Sequence, residues 1–266
     1  VEIIIVESLE EAGEIEANRL AEIIDENPET VLGLATGSSP LPLYQALRRH
    51  VSGGLDMCRV SGFALDEYVG IAASDERSYT ATIEREVTGP LGLNPELVHV
   101  PEGGASDPRQ AADRYEAAIK SAGGIDVQIL GIGGDGHLGF NEPGSSLASR
   151  TRIKTLSQRT REDNARFFAT LEEVPRHCLT QGLGTILDAR HLLLFAQGTA
   201  KAEAIAAALE GPVSSRCPAS VIQLHPFATV YVDTAAAARL ELADFYKYTY
   251  TNKPGWSLWS GGHLEK

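Results

Sequence analysis

The sequence predicts an α/β fold in which a mostly parallel sheet is covered by helices on both faces. Short, β-branched apolar runs alternate with longer stretches of helical periodicity along the chain. Those runs repeatedly end in loops of Gly, Ser and Asp. With 266 residues, 43% of them hydrophobic, the chain can bury a full core. No repeat or composition shift marks a boundary, so residues 1–266 read as one domain with a tail from about residue 251.

The elements follow in order. Glu2 to Val6 is a buried strand by pattern, and Leu9 to Glu26 spaces its apolar residues at helical intervals. Thr30 to Ala35 is a second strand. It runs through Thr36, Gly37, Ser38 and Ser39 into a helix from about Leu41 to Arg49, with Pro40 suited to the first helical position and the serines to the cap. Such a turn is either an ordinary cap or a cluster of free N–H groups that favours phosphate. Arg59 to Leu65 is a third strand, directly followed by Asp66, Glu67 and Tyr68. These acids either face water or sit where open α/β sheets place their ligands. Ser74 to Val87 reads as a helix broken by Gly89-Pro90, Leu97 to Val100 as a short strand, and Pro108 to Ser121 as an amphipathic helix closed by Gly123-Gly124.

The strand from Ile125 to Ile132 opens the stretch richest in chemistry. It stops at Gly133-Gly134, and Asp135, His137 and Glu142 follow within a few residues. Two acids and an imidazole on a glycine-rich loop are what proton transfer requires, because a rigid strand can hold them where a substrate reaches. Each alone suits a surface turn, but together they point to a site. Beyond Pro143, Arg150, Arg152 and Lys154 alternate with Thr151, Ile153 and Thr155. An extended chain puts the three cations on one face, either as a solvated edge or facing an anion.

Thr160 to Phe168 resembles a short helix carrying Arg161 and Arg166, and Leu179 to Arg190 a loop followed by a short helix. His191 to Ala196 is a strand, and Gly198-Thr199 lead into a helix through about Leu209. Lys201 in its first turn opposes the helix dipole, unless it shares an anion with that end. Ala228 to Val232 is the last strand, and an Ala-rich helix is expected to run to about Tyr248. The tail carries Trp256 and Trp259, expected either to dock on a neighbouring surface or to be disordered.

Composition narrows the function classes. A formal net charge of −13 repels nucleic acid and anionic membranes. No apolar run approaches the ~20 residues of a membrane span. The N-terminus turns acidic straight after its apolar start, unlike a secretory signal, so a cytoplasmic protein is expected. Cys58, Cys178 and Cys217 form no disulfide framework, and the scattered histidines show no metal-ligand spacing, so no metal is expected.

The pieces LGLATGSSP, ALDEYVG, LGIGGDGHLGFNEPGSSLASRTRIKTL, NARFF and LTQGLGTILDAR, in this order, resemble the glucosamine-6-phosphate deaminase family. The similarity runs from Ile3 to about Leu242. It implies a single-domain, modified Rossmann-like fold, no cofactor, and conversion of glucosamine 6-phosphate and water into fructose 6-phosphate and ammonia. By the same resemblance Asp66 is the base at C2, and His137 opens the sugar ring with Asp135 and Glu142 assisting. The Thr36–Ser39 turn holds the phosphate together with Arg166 and Lys201. Ser145, Arg152, Lys154 and Thr155 match an allosteric site for N-acetylglucosamine 6-phosphate at a subunit interface. The C-terminal part resembles that of the longer, usually hexameric members, whose last helix brings a Tyr to that site, and FYKYTY offers several. The segment from about Leu156 to Arg176 corresponds to a lid. Two alternatives are a 6-phosphogluconolactonase, which needs no acid poised over C2, and a sugar-phosphate sensor, which would carry a DNA-binding segment.

Overall fold

The computed structural model describes residues 1–253. Trp256, Trp259 and the rest of the tail lie outside the described residues. The strands are β1 (Glu2–Val6), β2 (Val31–Leu34), β3 (Ser61–Ala64), β4 (Asp66–Tyr68), β5 (Val98–His99), β6 (Val127–Leu130), β7 (Arg152–Thr155), β8 (His177–Thr180), β9 (His191–Ala196) and β10 (Ala228–Asp233). The α-helices are α1 (Leu9–Glu26), α2 (Leu41–Ser52), α3 (Tyr79–Ile83), α4 (Gly89–Leu91), α5 (Pro108–Ser121), α6 (Gln158–Asn164), α7 (Leu183–Leu187), α8 (Ala202–Leu209) and α9 (Ala243–Thr251).

Seven strands form one sheet in the order β1-β10-β9-β6-β2-β3-β5, with every neighbouring pair parallel. Every residue of β2, β6 and β9 is buried. Successive side chains of a strand face opposite ways, so both faces of the sheet are covered, as the expected fold requires. The core runs through these strands and the apolar stripes of α1 and α2, including Ile4, Leu20, Leu34, Leu43, Ile129 and Leu193. Helix α1 is capped by the Ser8 hydroxyl on Glu11 N–H, and α5 by the Asp107 carboxylate on the N–H groups of Arg109 and Gln110.

From β2 the chain builds outward through β3 to β5, then returns to the other side of β2 as β6 and builds the opposite way. The strand order therefore reverses between β2 and β6. A crevice outside the carboxyl ends of the strands at such a reversal is where α/β sheets bind ligands. Here those ends lead into residues 35–39 and 131–137.

A second, antiparallel sheet, β4-β8-β7, lies beside the first. The sequence reading did not contain it. Asp66, Glu67 and Tyr68, expected just past the end of a strand, are a strand themselves, and Leu179–Thr180, expected in a loop, belong to β8. Asp66 pairs with Thr180, and Thr180 with Arg152. Tyr68 pairs with Cys178, and Cys178 with Lys154. Residues directly opposite, and residues two apart, share a face. Asp66, Arg152 and Lys154 are therefore on one side of this sheet.

Other local expectations change as well. Pro40 occupies the cap position of α2 with no side-chain cap bond, so neither serine caps it. The helix expected from Ser74 begins only at Tyr79, after Ser78 caps it. It continues through a π-turn (Glu84–Thr88) past Gly89-Pro90, and the chain turns at left-handed Gly92. Arg150 is not part of the cationic stripe, because it lies outside β7 and pairs with Glu116 and Asp188 at 2.9 and 2.6 Å. The Ala-rich stretch after β10 forms turns before α9 rather than one long helix. Asp233 ends the strand by accepting bonds from Gly198 N–H and Ala236 N–H. Among the described residues no helix is long and apolar enough to cross a membrane.

Candidate active site

The loop after β6 folds back on itself. Gly133 N–H donates to His137 C=O at 2.9 Å, and Gly136 N–H donates to Gly133 C=O at 3.0 Å. The imidazole of His137 lies flat on Gly133. A β-carbon there would come within 2.4 Å of three ring atoms, so glycine leaves the room in which the ring rests. Nδ1 of His137 stands 2.7 Å from Oδ1 of Asp135, although the contact is poorly aligned as a ring hydrogen bond. The same Asp135 oxygen accepts the His137 backbone N–H at 3.1 Å. Burial works to raise the Asp135 pKa. The contacts with His137 outweigh it and lower the value to about 2.

Glu142 closes the cluster. One carboxylate oxygen accepts from Ser157 N–H at 2.9 Å and from the Thr160 hydroxyl at 2.7 Å. The other is buried without a protein partner. One ligand-type atom each from Asp135, His137 and Glu142 lies within 4.8 Å of the others, so the three converge as the sequence predicted. That donor set resembles a loose metal site in outline. Its chemistry is also that of a proton shuttle with one free acceptor.

Asp66 enters from the small sheet. It is 7% exposed and accepts no hydrogen bond among the described residues. Burial first, and the neighbouring Glu67 charge second, raise its pKa from 3.8 to about 8. A β-carbon at Gly139 would stand 3.2 Å from Oδ2 of Asp66 and 3.0 Å from the Thr180 hydroxyl. The loop that carries His137 therefore lies directly on the Asp66 carboxylate, and Phe140 N–H ties it down by donating to that hydroxyl at 3.1 Å. Glu67, equally buried, is fully occupied. It accepts from the N–H groups of Tyr68, Tyr79 and Thr80 and from the Thr80 hydroxyl, and so anchors the start of α3.

The expected phosphate end lies at the same end of the main sheet. Among the described residues, the N–H groups of Thr36, Gly37, Ser38 and Ser39 find no acceptor. Ser39 lies beside Gly131, across the β2/β6 reversal. Lys201 ends a short 3-10 turn after β9, and among the described residues its ammonium makes no hydrogen bond or ion pair. Burial chiefly, and also the charges of Arg166 and Arg159, lower its pKa, while Asp163 and Asp135 act the other way. Arg166 is exposed and stacks on Phe167 at 4.7 Å. Arg159 belongs to this group and was missed, because nothing in its local sequence separates it from a surface arginine.

The expected allosteric residues are brought together only in part. Arg152 and Lys154 share a face of β7, and Arg152 donates to the Asn141 side-chain oxygen at 2.8 Å. Thr155 points to the other face, next to His177, and the Ser145 hydroxyl is spent on Glu142 C=O. The lid segment sits on a satellite cluster of Tyr68, Ile71, Phe140, Leu156 and Cys178, with Tyr79 and Phe168 against it. Two surface clefts elsewhere, one beside Asp25 and Arg49 and one beside Glu116 and Arg150, contain none of these residues. Glu116, Arg150 and Asp188 of the second pair with each other, so the carboxyl ends of the main sheet, with their converging unpaired groups, are the better candidate.

Comparison with known proteins gives a consistent result. Residues 6–231 match the model of the family described as glucosamine-6-phosphate isomerases/6-phosphogluconolactonase. The glucosamine-6-phosphate deaminase of Pseudarthrobacter chlorophenolicus is 55% identical over 96% of this chain and 98% of its own. That of Bifidobacterium longum is 56% identical with the same coverage. A solved structure of a monomeric glucosamine-6-phosphate deaminase superposes with a TM-score of 0.87 at 39% identity, covering 90% of this chain and 100% of that one. A 6-phosphogluconolactonase from Trypanosoma cruzi shares the fold, with a TM-score of 0.70 at 21% identity over 90% of this chain and 97% of its own.

Proposed function

The chain belongs to the glucosamine-6-phosphate isomerase/6-phosphogluconolactonase family, and within it we propose that it deaminates and isomerises glucosamine 6-phosphate to fructose 6-phosphate and ammonia. The observation that carries this is the Asp66 carboxyl: buried, unpaired, its pKa raised to about 8, and pressed against the loop that holds His137. A desolvated acid without a cation is complemented by a substrate that brings one. The C2 ammonium of an amino sugar does so at the carbon to be deprotonated. A lactone carries no such charge, which speaks against the lactonase alternative.

His137 takes the proton from the anomeric hydroxyl and returns one to the ring oxygen, opening the ring. Asp135 orients the imidazole, and the unpartnered oxygen of Glu142 accepts from the sugar. The open aldehyde acidifies the C2 proton, which Asp66 removes. The enolamine formed tautomerises to an iminium at C2, and water adds there and releases ammonia. The N–H groups of Thr36 to Ser39, with Arg166 and Lys201, hold the phosphate and so orient the reacting end. In this scheme Asp66 returns the proton it took from C2 to C1 as the enolamine tautomerises. A coupled ammonia assay tests the reading: deamination by the wild type with none by Asp66→Asn supports it, and lactone hydrolysis without ammonia release would discard it.

The finer expectations rest on the same reading. Arg152 and Lys154, on the Asp66 side of the small sheet, bind the phosphate of N-acetylglucosamine 6-phosphate and activate the enzyme. Ser145 and Thr155 contribute less than the resemblance implies. Addition of that sugar phosphate then shifts the substrate saturation curve to lower concentration, and an unmoved curve removes the proposal. The expected assembly is a hexamer, and light scattering in solution distinguishes it from a monomer such as the 39% identical relative. Sugar phosphates do not cross bilayers unaided, which fits a cytoplasmic site of action.

A further inference from the structure

We propose, on the reading above, that Arg159 is a third cation of the phosphate end and positions the substrate phosphate in step with Glu142. Arg159 lies between Ser157 and Thr160, and both neighbours are held by the same Glu142 oxygen, at 2.9 and 2.7 Å. Holding residues 157 and 160 sets the turn between them. The Arg159 side chain is thereby laid across the catalytic loop. A β-carbon at Gly134 would stand 3.1 Å from Nη2 of Arg159 and 3.9 Å from the Ala200 carbonyl oxygen. The guanidinium, the loop backbone and the residue before Lys201 are thus in one place.

The Arg159 guanidinium forms no hydrogen bond or ion pair with any described residue, although a site residue lies against it. An arginine serving only as surface charge has no reason to press on a glycine of the site. The charges of Arg159 and Arg166 both act on Lys201, opposed by those of Asp163 and Asp135, so cations outnumber acids at this end. A phosphate dianion balances that excess, and the planar guanidinium fork matches its oxygens. A phosphate that draws on Arg159 also draws on the turn held by Glu142. Binding at the unreactive end of the sugar then helps to set the carboxylate at the reactive end, which is how remote contacts contribute to rate.

The test compares the full chain with Arg159→Ala and Arg159→Lys. Inorganic phosphate binding is read by calorimetry and KM by the ammonia assay. The alanine variant is expected to weaken phosphate binding and raise KM, each by about tenfold, with the lysine variant recovering most of both. A phosphate affinity and KM unchanged by Arg159→Ala, in a wild type that deaminates, would overturn the inference. If the wild type does not deaminate, yet phosphate binding still depends on Arg159, the anion site stands and the assigned reaction falls. A KM shift that lysine does not recover also counts against it, because it marks a packing role.

Discussion

The two ends of the crevice are built on opposite plans. At the proton-handling end, the chain itself fixes each group: His137 on Gly133, Asp135 on His137, Glu142 on Ser157 and Thr160, and Asp66 under Gly139. At the phosphate end, the N–H groups of Thr36 to Ser39 and the charges of Lys201, Arg159 and Arg166 are left without hydrogen-bonded partners among the described residues. One end is preorganised and the other is completed by its ligand. The difference teaches where each kind of loss will show: damage to the first stops chemistry, and damage to the second weakens binding.

The largest effect is expected from Asp66→Asn, with kcat lowered by at least about 10³-fold while substrate still binds. The same substitution sharpens the comparison through stability. The folded chain holds the Asp66 proton up to a pH of about 8, whereas the unfolded chain releases it near the ordinary value of 3.8. The folded state binds more protons across that window, so stability falls as pH rises through it. Thermal unfolding of Asp66→Asn should exceed wild type at pH 8 and match it near pH 4. The ascending limb of kcat/KM in the wild type should have its midpoint near 8, because that limb reports the free enzyme's base.

His137→Gln comes next, with kcat down by roughly 10²-fold and the defect partly bypassed by an open-chain substrate analogue. An equal loss with cyclic and open-chain compounds would break the assignment of ring opening to this group. At the other end, Lys201→Ala should raise KM by about tenfold with kcat nearly retained. A collapse of kcat there would erase the contrast between the two ends. The smallest effect on chemistry is expected from Glu67→Gln. Its four accepted bonds anchor α3, so chemical denaturation should show a loss of about 1–3 kcal/mol with kcat little changed.

The same contrast explains what the sequence made legible. Strands β1 and β9 and helices α1 and α5 have the predicted limits, because each is a continuous run with one hydrophobic period. Asp135, His137 and Glu142 were readable because eight residues of loop carry all three. The small sheet was not, because β4 is three polar-to-aromatic residues whose partners lie more than a hundred positions away. Propensity misled at the Ala-rich stretch, where the Asp233 side chain takes N–H groups that a helix would use. Arg159 escaped notice because its meaning depends on the Glu142 bonds to its neighbours, a relation that no spacing encodes.

The pairing of Asp66 with Thr180 has a consequence for how the molecule comes into being. During synthesis Asp66 leaves the ribosome long before its strand partner exists. Until that partner arrives it is an ordinary hydrated acid, charged and chemically idle. Part of the shielding that makes it a tuned base comes from Thr180, in the last third of the chain, so a nascent fragment that ends before β8 lacks that cover.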